Sequence, residues 1–114
     1  MSKRRPRKRR AVQRGIEVAP YGLRAVFTDA PRDFGRLSGG TPRDSLGAYV
    51  MGKKGEHVIG VFDGNLYTLV HECVHAATAV LLQVGIDPLS NQSEPLAYLV
   101  DWLVAQGARV LGLR

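Results

Sequence analysis

The sequence predicts a small α+β domain in which a β-hairpin, or a short antiparallel sheet, packs on two helices. Two largely apolar runs at 48–51 and 58–62 flank a turn that contains glycine, a pattern typical of a hairpin. Apolar residues then recur mostly at spacings of three and four, first over 66–84 and again from residue 93 or 94 to 110. This periodicity predicts two amphipathic helices. With 114 residues, the chain is long enough for one such domain and not for two.

The region before the hairpin has weaker signals. The run LRAVFT at 23–28 predicts a short strand. Residues 29–47 contain two prolines and the pair Gly39-Gly40, so they are predicted to form a loop. Cys73 and Trp102 are expected to lie in the core.

Both predicted helices carry signals at their ends. Asn65 is a reasonable N-cap for the first helix, and Gly85 is a natural stop for it. Ser93 can cap the second helix, and Pro95 is tolerated in a first turn.

The positive charge of the chain is concentrated at its N-terminus. Residues 1–14 carry eight lysines and arginines and no acid, whereas residues 15–114 carry eight basic and ten acidic side chains. The first segment can bury little apolar surface, so we predict a disordered basic arm at 1–14 and a single domain at 15–114. Such an arm can contact nucleic acid nonspecifically, because it displaces counterions from phosphates.

The sequence argues against a membrane protein or a secreted one. No stretch approaches the roughly 18 to 20 unbroken apolar residues of a membrane span. No apolar region follows the basic N-terminus as it would in a secretory signal. Cys73 is the only cysteine, which excludes an internal disulfide and is typical of a reducing compartment. We therefore expect no membrane contact and a cytoplasmic location.

The segment HECVH at 71–75 has the spacing of a metal site. On a helix His71 and His75 lie on one face, about one turn apart, where a single cation can contact both imidazoles. Zn²⁺ suits such ligands best. Glu72 lies beside the metal, where it can take a proton from the zinc-bound water. The alternative is a helix with two histidines at the edge of its apolar face and a solvated glutamate.

A catalytic zinc site needs a third protein ligand besides water. His57 is the only other histidine, and it is expected to be a polar residue at a strand end rather than a ligand. Glu94 is the stronger choice, since 18 residues separate it from His75 and it falls in the first turn of the second predicted helix. A helix, a turn and a returning helix can bring it back over the two histidines.

The pattern H-E-x-x-H, followed by 18 residues and a glutamate, resembles the gluzincin clan of zinc metallopeptidases. It is also similar to the minigluzincins, which are single domains of comparable length. The combination HECVHAA…SEPLAYLVDWL further resembles small HExxH proteins of tailed bacteriophages. The similarity covers about residues 48–104. It implies a zincin-like domain with His71, His75 and Glu94 as ligands and Glu72 as general base, in the host cytoplasm if the protein is phage-encoded.

The resemblance also implies supporting residues. Gluzincins often place an acid shortly after the glutamate ligand, and Asp101 could support a ligand histidine in this way, although the usual spacing is shorter. They commonly use a tyrosine or histidine to stabilise the oxyanion, a role open to Tyr98 or Tyr67. The alternative for each tyrosine is an aromatic ring packed between helices. A zincin also pairs its edge strand with extended peptide, and the run AYVMG or HVIGVFDG is that edge here.

These observations support three hypotheses for the function. The favoured one is a zinc-dependent metallopeptidase-like protein that hydrolyses a peptide bond of a peptide or protein substrate with zinc-activated water. The second is a non-catalytic, zinc-stabilised binding module that acts on a protein or nucleic-acid partner. The third is a nucleic-acid-binding protein whose function depends on residues 1–14.

Overall fold

A mixed four-stranded sheet and three helices make up the fold. The computed structural model describes residues 11–40 and 45–114. The predicted α+β class is confirmed. The elements are β1 (Gln13–Val18), β2 (Leu23–Thr28), α1 (Pro31–Ser38), β3 (Gly47–Met51), β4 (His57–Val61), α2 (Leu66–Gln83) and α3 (Ser90–Leu111).

The strands are ordered β1-β2-β4-β3 across the sheet. The predicted hairpin is confirmed, because β3 and β4 pair antiparallel with Tyr49 opposite Ile59. The sheet is larger than a hairpin and is not purely antiparallel, since β2 and β4 pair in parallel, with Val26 opposite Val58. The strand β3 therefore lies at one edge of the sheet, while β4 lies inside it.

The two central strands are covered on both faces. Alternate residues of β2 and β4 join the core that α2 and α3 build: Ala25, Phe27, Ile59 and Val61. Between them, Val26, Val58 and Gly60 face the other way, towards α1, where the ring of Phe34 packs close to Gly60. Burial on both faces explains why β4 is apolar along its length, since alternation is expected only where one face meets solvent.

The segment 29–47 was predicted to be a loop, and this is wrong for nine of its described residues, because Gly47 begins β3 and eight others form a helix. Pro31–Ser38 forms α1, which begins with proline and ends at Gly39 in the left-handed conformation, with φ of 91°. These are ordinary start and stop signals for a helix.

The predicted basic arm and the described structure overlap by only a few residues. Residues 1–10, with most of its charge, lie outside the described residues. Gln13 and Arg14 form the first two residues of β1 and pair with Thr28 and Phe27. The sheet therefore begins two residues before the predicted domain boundary.

Helix α2 has the limits that the sequence predicts. The Asn65 side chain accepts a hydrogen bond from the backbone N–H of Tyr67 at 2.8 Å, as an N-cap does. The helix ends at Gln83, and Gly85 follows with φ of 81°. Cys73 is fully buried in its centre, as expected, and Trp102 of α3 packs against the same core from a partly buried position.

Helix α3 begins with an unusual turn. Asn91, Gln92 and Ser93 all have positive φ, between 51° and 62°. The predicted N-cap role of Ser93 is therefore wrong, because a cap has extended backbone. Left-handed backbone costs an ordinary residue about 1–2 kcal/mol, so the packing of the helices on either side must hold this turn.

The two long helices approach the sheet closely through a glycine. A Cβ atom at Gly107 would lie 2.6 Å from the ring of Phe27 and 2.8 Å from a methyl group of Leu69.

In the part of the chain that the structure describes, no helix is both long enough and apolar enough to cross a membrane.

Candidate metal centre

The face of α2 that looks away from the core carries the predicted motif. One ligand atom each from His71, Glu72 and His75 lie within 4.8 Å of one another. The two imidazole rings have centroids 5.0 Å apart and planes at 76°. The four-residue helical spacing produces this proximity, because residues i and i+4 lie one above the other. Both histidines are exposed, so a cation reaches them from solvent without rearrangement of the fold.

Glu72 differs from its neighbours because it points towards the sheet. Only 8% of the residue is exposed, and its Cγ lies 3.3 Å from the position that a Cβ on Gly47 would occupy. No described residue donates a hydrogen bond to its carboxylate, and no buried polar atom lacks a partner in the described residues. The carboxylate must therefore keep contact with solvent. Glu72 is a nearly buried acid whose oxygen atoms open onto the surface beside the two histidines.

A pocket of about 510 Å³ lies at this point, between the start of β3 and the first turns of α2. The segment that leads into β3 forms the wall on the sheet side. The wall on the helix side includes His71 and Glu72. The lining residues are Ser45, Leu46, Gly47, Tyr67, Thr68, His71 and Glu72. The motif therefore borders a space next to the edge strand β3.

The rim of the pocket is ordered by the turn that precedes α2. Asp63 accepts a hydrogen bond from the hydroxyl of Thr68 at 2.7 Å and another from the backbone N–H of Asn65 at 3.1 Å. Together with the Asn65 cap, these bonds fix the first turn of α2. They also hold the Asp63 carboxylate next to a residue that lines the pocket.

The donor set fits a zinc ion better than a harder cation. Two imidazole nitrogens and one carboxylate are the groups that Zn²⁺ accepts, whereas Ca²⁺ and Mg²⁺ take oxygen ligands. Two ligand atoms at about 2 Å from one ion lie at most about 4 Å apart, so side-chain atoms within 4.8 Å of one another need only small rotations to share it. His71 and His75 would hold the ion, with Glu72 beside it.

Glu94 and Asp101 lie outside this group. Both are exposed on α3, and the set of neighbouring ligand atoms in the described residues contains only the three residues of α2. No hydrogen bond joins Asp101 to His71 or His75 in the same part of the chain. The roles of Glu94 as third ligand and of Asp101 as its supporting acid stay predictions.

The two candidate tyrosines are not packed between helices, so that alternative is wrong. Tyr67 is 82% exposed and Tyr98 is 71% exposed. Tyr67 lines the pocket next to the motif, whereas Tyr98 of α3 does not. The role of Tyr98 in stabilising an oxyanion stays a prediction, and Tyr67 is the tyrosine that the fold brings to the pocket.

His57 lies in a different place from the motif. It is fully buried at the start of β4, as a polar residue at a strand end. Its Nε2 donates to Oε1 of Gln83 at 2.8 Å, so its Nδ1 carries no proton and accepts the hydroxyl of Tyr49 at 2.6 Å. Burial raises the pKa of Tyr49 to about 12, which keeps that hydroxyl a donor. The network ties the edge strand β3 to the end of α2.

This network predicts a stability that depends on pH. Burial lowers the pKa of His57 below 6.5, although the hydrogen bond to Gln83 and the charge of Glu56 oppose the shift. The unfolded chain therefore takes up the proton more readily, and the free energy of unfolding should fall as the pH drops from about 6.5 to the folded pKa. We expect denaturant titrations to show this slope in the wild type and a flatter profile in His57→Gln. Parallel profiles would contradict the assignment.

The single cysteine is not a reactive group. Burial, and secondly the negative charge of Glu72, raise the pKa of the Cys73 thiol to about 12. A buried thiol with this pKa is not ionised at neutral pH.

Sequence reasoning missed the wall that β3 contributes to the pocket. Gly47 and Leu46 carry no chemical motif, and only the pairing of β3 with β4 brings them to α2. Sequence reasoning also missed Asp63. The available signal was its position five residues before Thr68. An acid just before a helix can accept a hydrogen bond from a side chain in the first turn of that helix.

No protein-family model, no curated protein and no solved structure matches this chain. The likeness to gluzincins rests on the motif residues of α2 and on Glu94.

Proposed function

We propose that the protein is a zinc-dependent metallopeptidase-like hydrolase whose site lies on α2. The observation that carries this proposal is the position of Glu72. Glu72 is 8% exposed, adjoins two histidines and opens its carboxylate onto the pocket, which is the arrangement that a general base requires. A site that only held a structural metal would not need it.

His71 and His75 supply two nitrogen ligands, and Glu94 is proposed as the third by its resemblance to the gluzincin ligand. Zn²⁺ bound there lowers the pKa of a water molecule to about 7 and polarises a carbonyl group. The exposed setting of both histidines leaves room for water and substrate on the outer side.

Glu72 is the general base of this proposal. Its carboxylate accepts the proton of the attacking water and then returns it to the nitrogen of the leaving amine. The low exposure of Glu72 holds its side chain in one direction, towards the pocket, because Gly47 and Thr68 border it. A fixed base makes proton transfer faster than a mobile surface carboxylate does.

The edge strand β3 is proposed to position the substrate. Among the strands of the described residues it pairs with β4 alone, so its other edge offers backbone N–H and C=O groups to an extended peptide. The pocket begins where this strand starts, at Gly47. A peptide added along β3 would therefore pass beside the motif with one side chain directed to the pocket.

The test is hydrolysis of quenched fluorescent peptides by zinc-loaded wild type beside Glu72→Gln. Activity that needs zinc and Glu72 supports the proposal. A protein that binds zinc tightly, loses its fold or its partner in His71→Ala and cleaves nothing would instead be a zinc-stabilised binding module.

A further inference from the structure

The charges of the chain are strongly separated along the sequence. Fourteen of the sixteen lysines and arginines lie before residue 57, and residues 57–108 contain none. The same segment contains five acids, and it forms β4, α2 and nearly all of α3. The acids are Asp63, Glu72, Asp87, Glu94 and Asp101. The half of the domain that carries the candidate metal centre is therefore acidic.

Most of these acids face solvent, and none of them forms an ion pair with another described residue. All except Glu72 are exposed. Among the described residues the one ion pair that forms joins Arg36 to Asp33, on α1. A bound Zn²⁺ adds two positive charges, which leaves the segment 57–108 with a negative balance. Such a surface attracts cations and raises their local concentration near the site.

Asp63 is the acid that the fold places beside the pocket. Its two oxygens accept bonds from Asn65 and Thr68, and Thr68 lines the pocket. The carboxylate is exposed, so it keeps lone pairs for a further donor. A carboxylate held by two hydrogen bonds loses little side-chain entropy when it binds a cation.

The pocket itself has an independent sign that it receives a ligand. Glu72 is more than nine-tenths buried, has no hydrogen-bond partner in the described residues and opens into the same space. Leu46 and Tyr67 line it too and are 67% and 82% exposed. An apolar stem with a cationic head matches this combination, because the stem packs on Leu46 and Tyr67 while the head reaches Asp63.

We infer that the site takes basic peptides, with a lysine or arginine side chain of the substrate bound at Asp63. The inference rests on the proposed function for its catalytic part, but it concerns binding as well as cleavage. It assigns to Asp63 the choice of substrate, not a chemical step.

The test uses three peptides that differ at one position next to the scissile bond, with Lys, Leu or Glu there. Binding is measured by fluorescence anisotropy on zinc-loaded Glu72→Gln, and kcat/KM is measured on the wild type. We expect the Lys peptide to be preferred over the Glu peptide by about tenfold or more, as for close charge pairs. The preference should weaken as salt rises.

The variant Asp63→Asn tests the contribution of the Asp63 charge. Asparagine can still accept from Asn65 and can donate to the Thr68 hydroxyl, so the turn is preserved. In this variant the preference for the Lys peptide over the Glu peptide should fall about tenfold. Asp87→Asn is the matched control, because Asp87 also holds a turn, through the N–H of Leu89, but lies beyond the other end of α2.

Three outcomes would overturn the inference. They are equal binding of the three peptides, a preference for Glu, or an equal loss in the two variants. Failure of the wild type to cleave any peptide would count against the proposed function instead, and the anisotropy measurement would still decide the preference.

Discussion

Replacing Glu72 by glutamine is expected to lower kcat/KM for peptide hydrolysis about 10³-fold, within the range for loss of a general base. Glutamine has nearly the same shape, so it fits the space beside Gly47 and keeps the packing around α2. It cannot accept the proton of the attacking water. The zinc content should therefore stay at the wild-type value, because His71 and His75 are unchanged.

The control for this prediction is Glu17→Gln, which makes the same chemical change at an exposed position of β1. It should leave kcat/KM at the wild-type value. If Glu72→Gln retained full activity with zinc bound, Glu72 would not be the base, and its burial would need another explanation.

The second large effect is expected at Gly47, where the edge strand meets α2. A Cβ there would lie 2.5 Å from a methyl group of Thr68 and 2.8 Å from the carbonyl oxygen of Gly60. Both contacts are shorter than real Cβ contacts, and one of them is to backbone. Gly47→Ala must therefore push β3 away from α2. We expect a loss of about 1–3 kcal/mol in the free energy of unfolding, as for overpacked sites.

The same substitution should also lower activity, because the Cγ of Glu72 lies 3.3 Å from the added carbon. Chemical denaturation and peptide hydrolysis measure the two effects. Gly40→Ala is the control, since a Cβ at Gly40 meets no atom within 4 Å and its φ is not positive. Equal stability of Gly47→Ala and Gly40→Ala would contradict the close approach of β3 to α2.

The parts of the fold that the sequence predicts well are those with local causes. Helix α2 follows from apolar spacing and from the short-range bond between Asn65 and Tyr67. The hairpin of β3 and β4 follows from two apolar runs around a short turn. The proximity of His71, Glu72 and His75 follows from helix geometry alone, because four residues make about one turn.

The parts that sequence reasoning missed have other causes. In α1 the signals were present, with Pro31 at its start and Gly39 after its end, but the two prolines of the segment and the pair Gly39-Gly40 favoured a loop. In β1 the first two residues, Gln13 and Arg14, were assigned to the basic arm by charge, and the apolar residues Ile16 and Val18 are too few to predict a strand. The parallel pairing of β2 with β4 joins residues about 30 positions apart, and no local pattern encodes it.

The candidate site divides in the same way. Its helical half was predicted, whereas its strand half depends on which edge of the sheet remains free. The sequence left two runs open for that edge, and of these two AYVMG lies at an edge of the sheet, in β3, whereas HVIGVFDG contributes the inner strand β4. The left-handed turn before Glu94 was also missed, since Asn91, Gln92 and Ser93 are not glycines and positive φ is uncommon for them.

The central claim is that His71 and His75 bind zinc, and elemental mass spectrometry on the purified protein tests it most directly. The account predicts about one zinc per wild-type chain and its loss in a folded His75→Ala, with circular dichroism to establish the fold. Glu94→Ala, measured beside it, decides whether α3 supplies the third ligand. A folded wild type that contains no zinc and takes up none from added zinc would contradict the account.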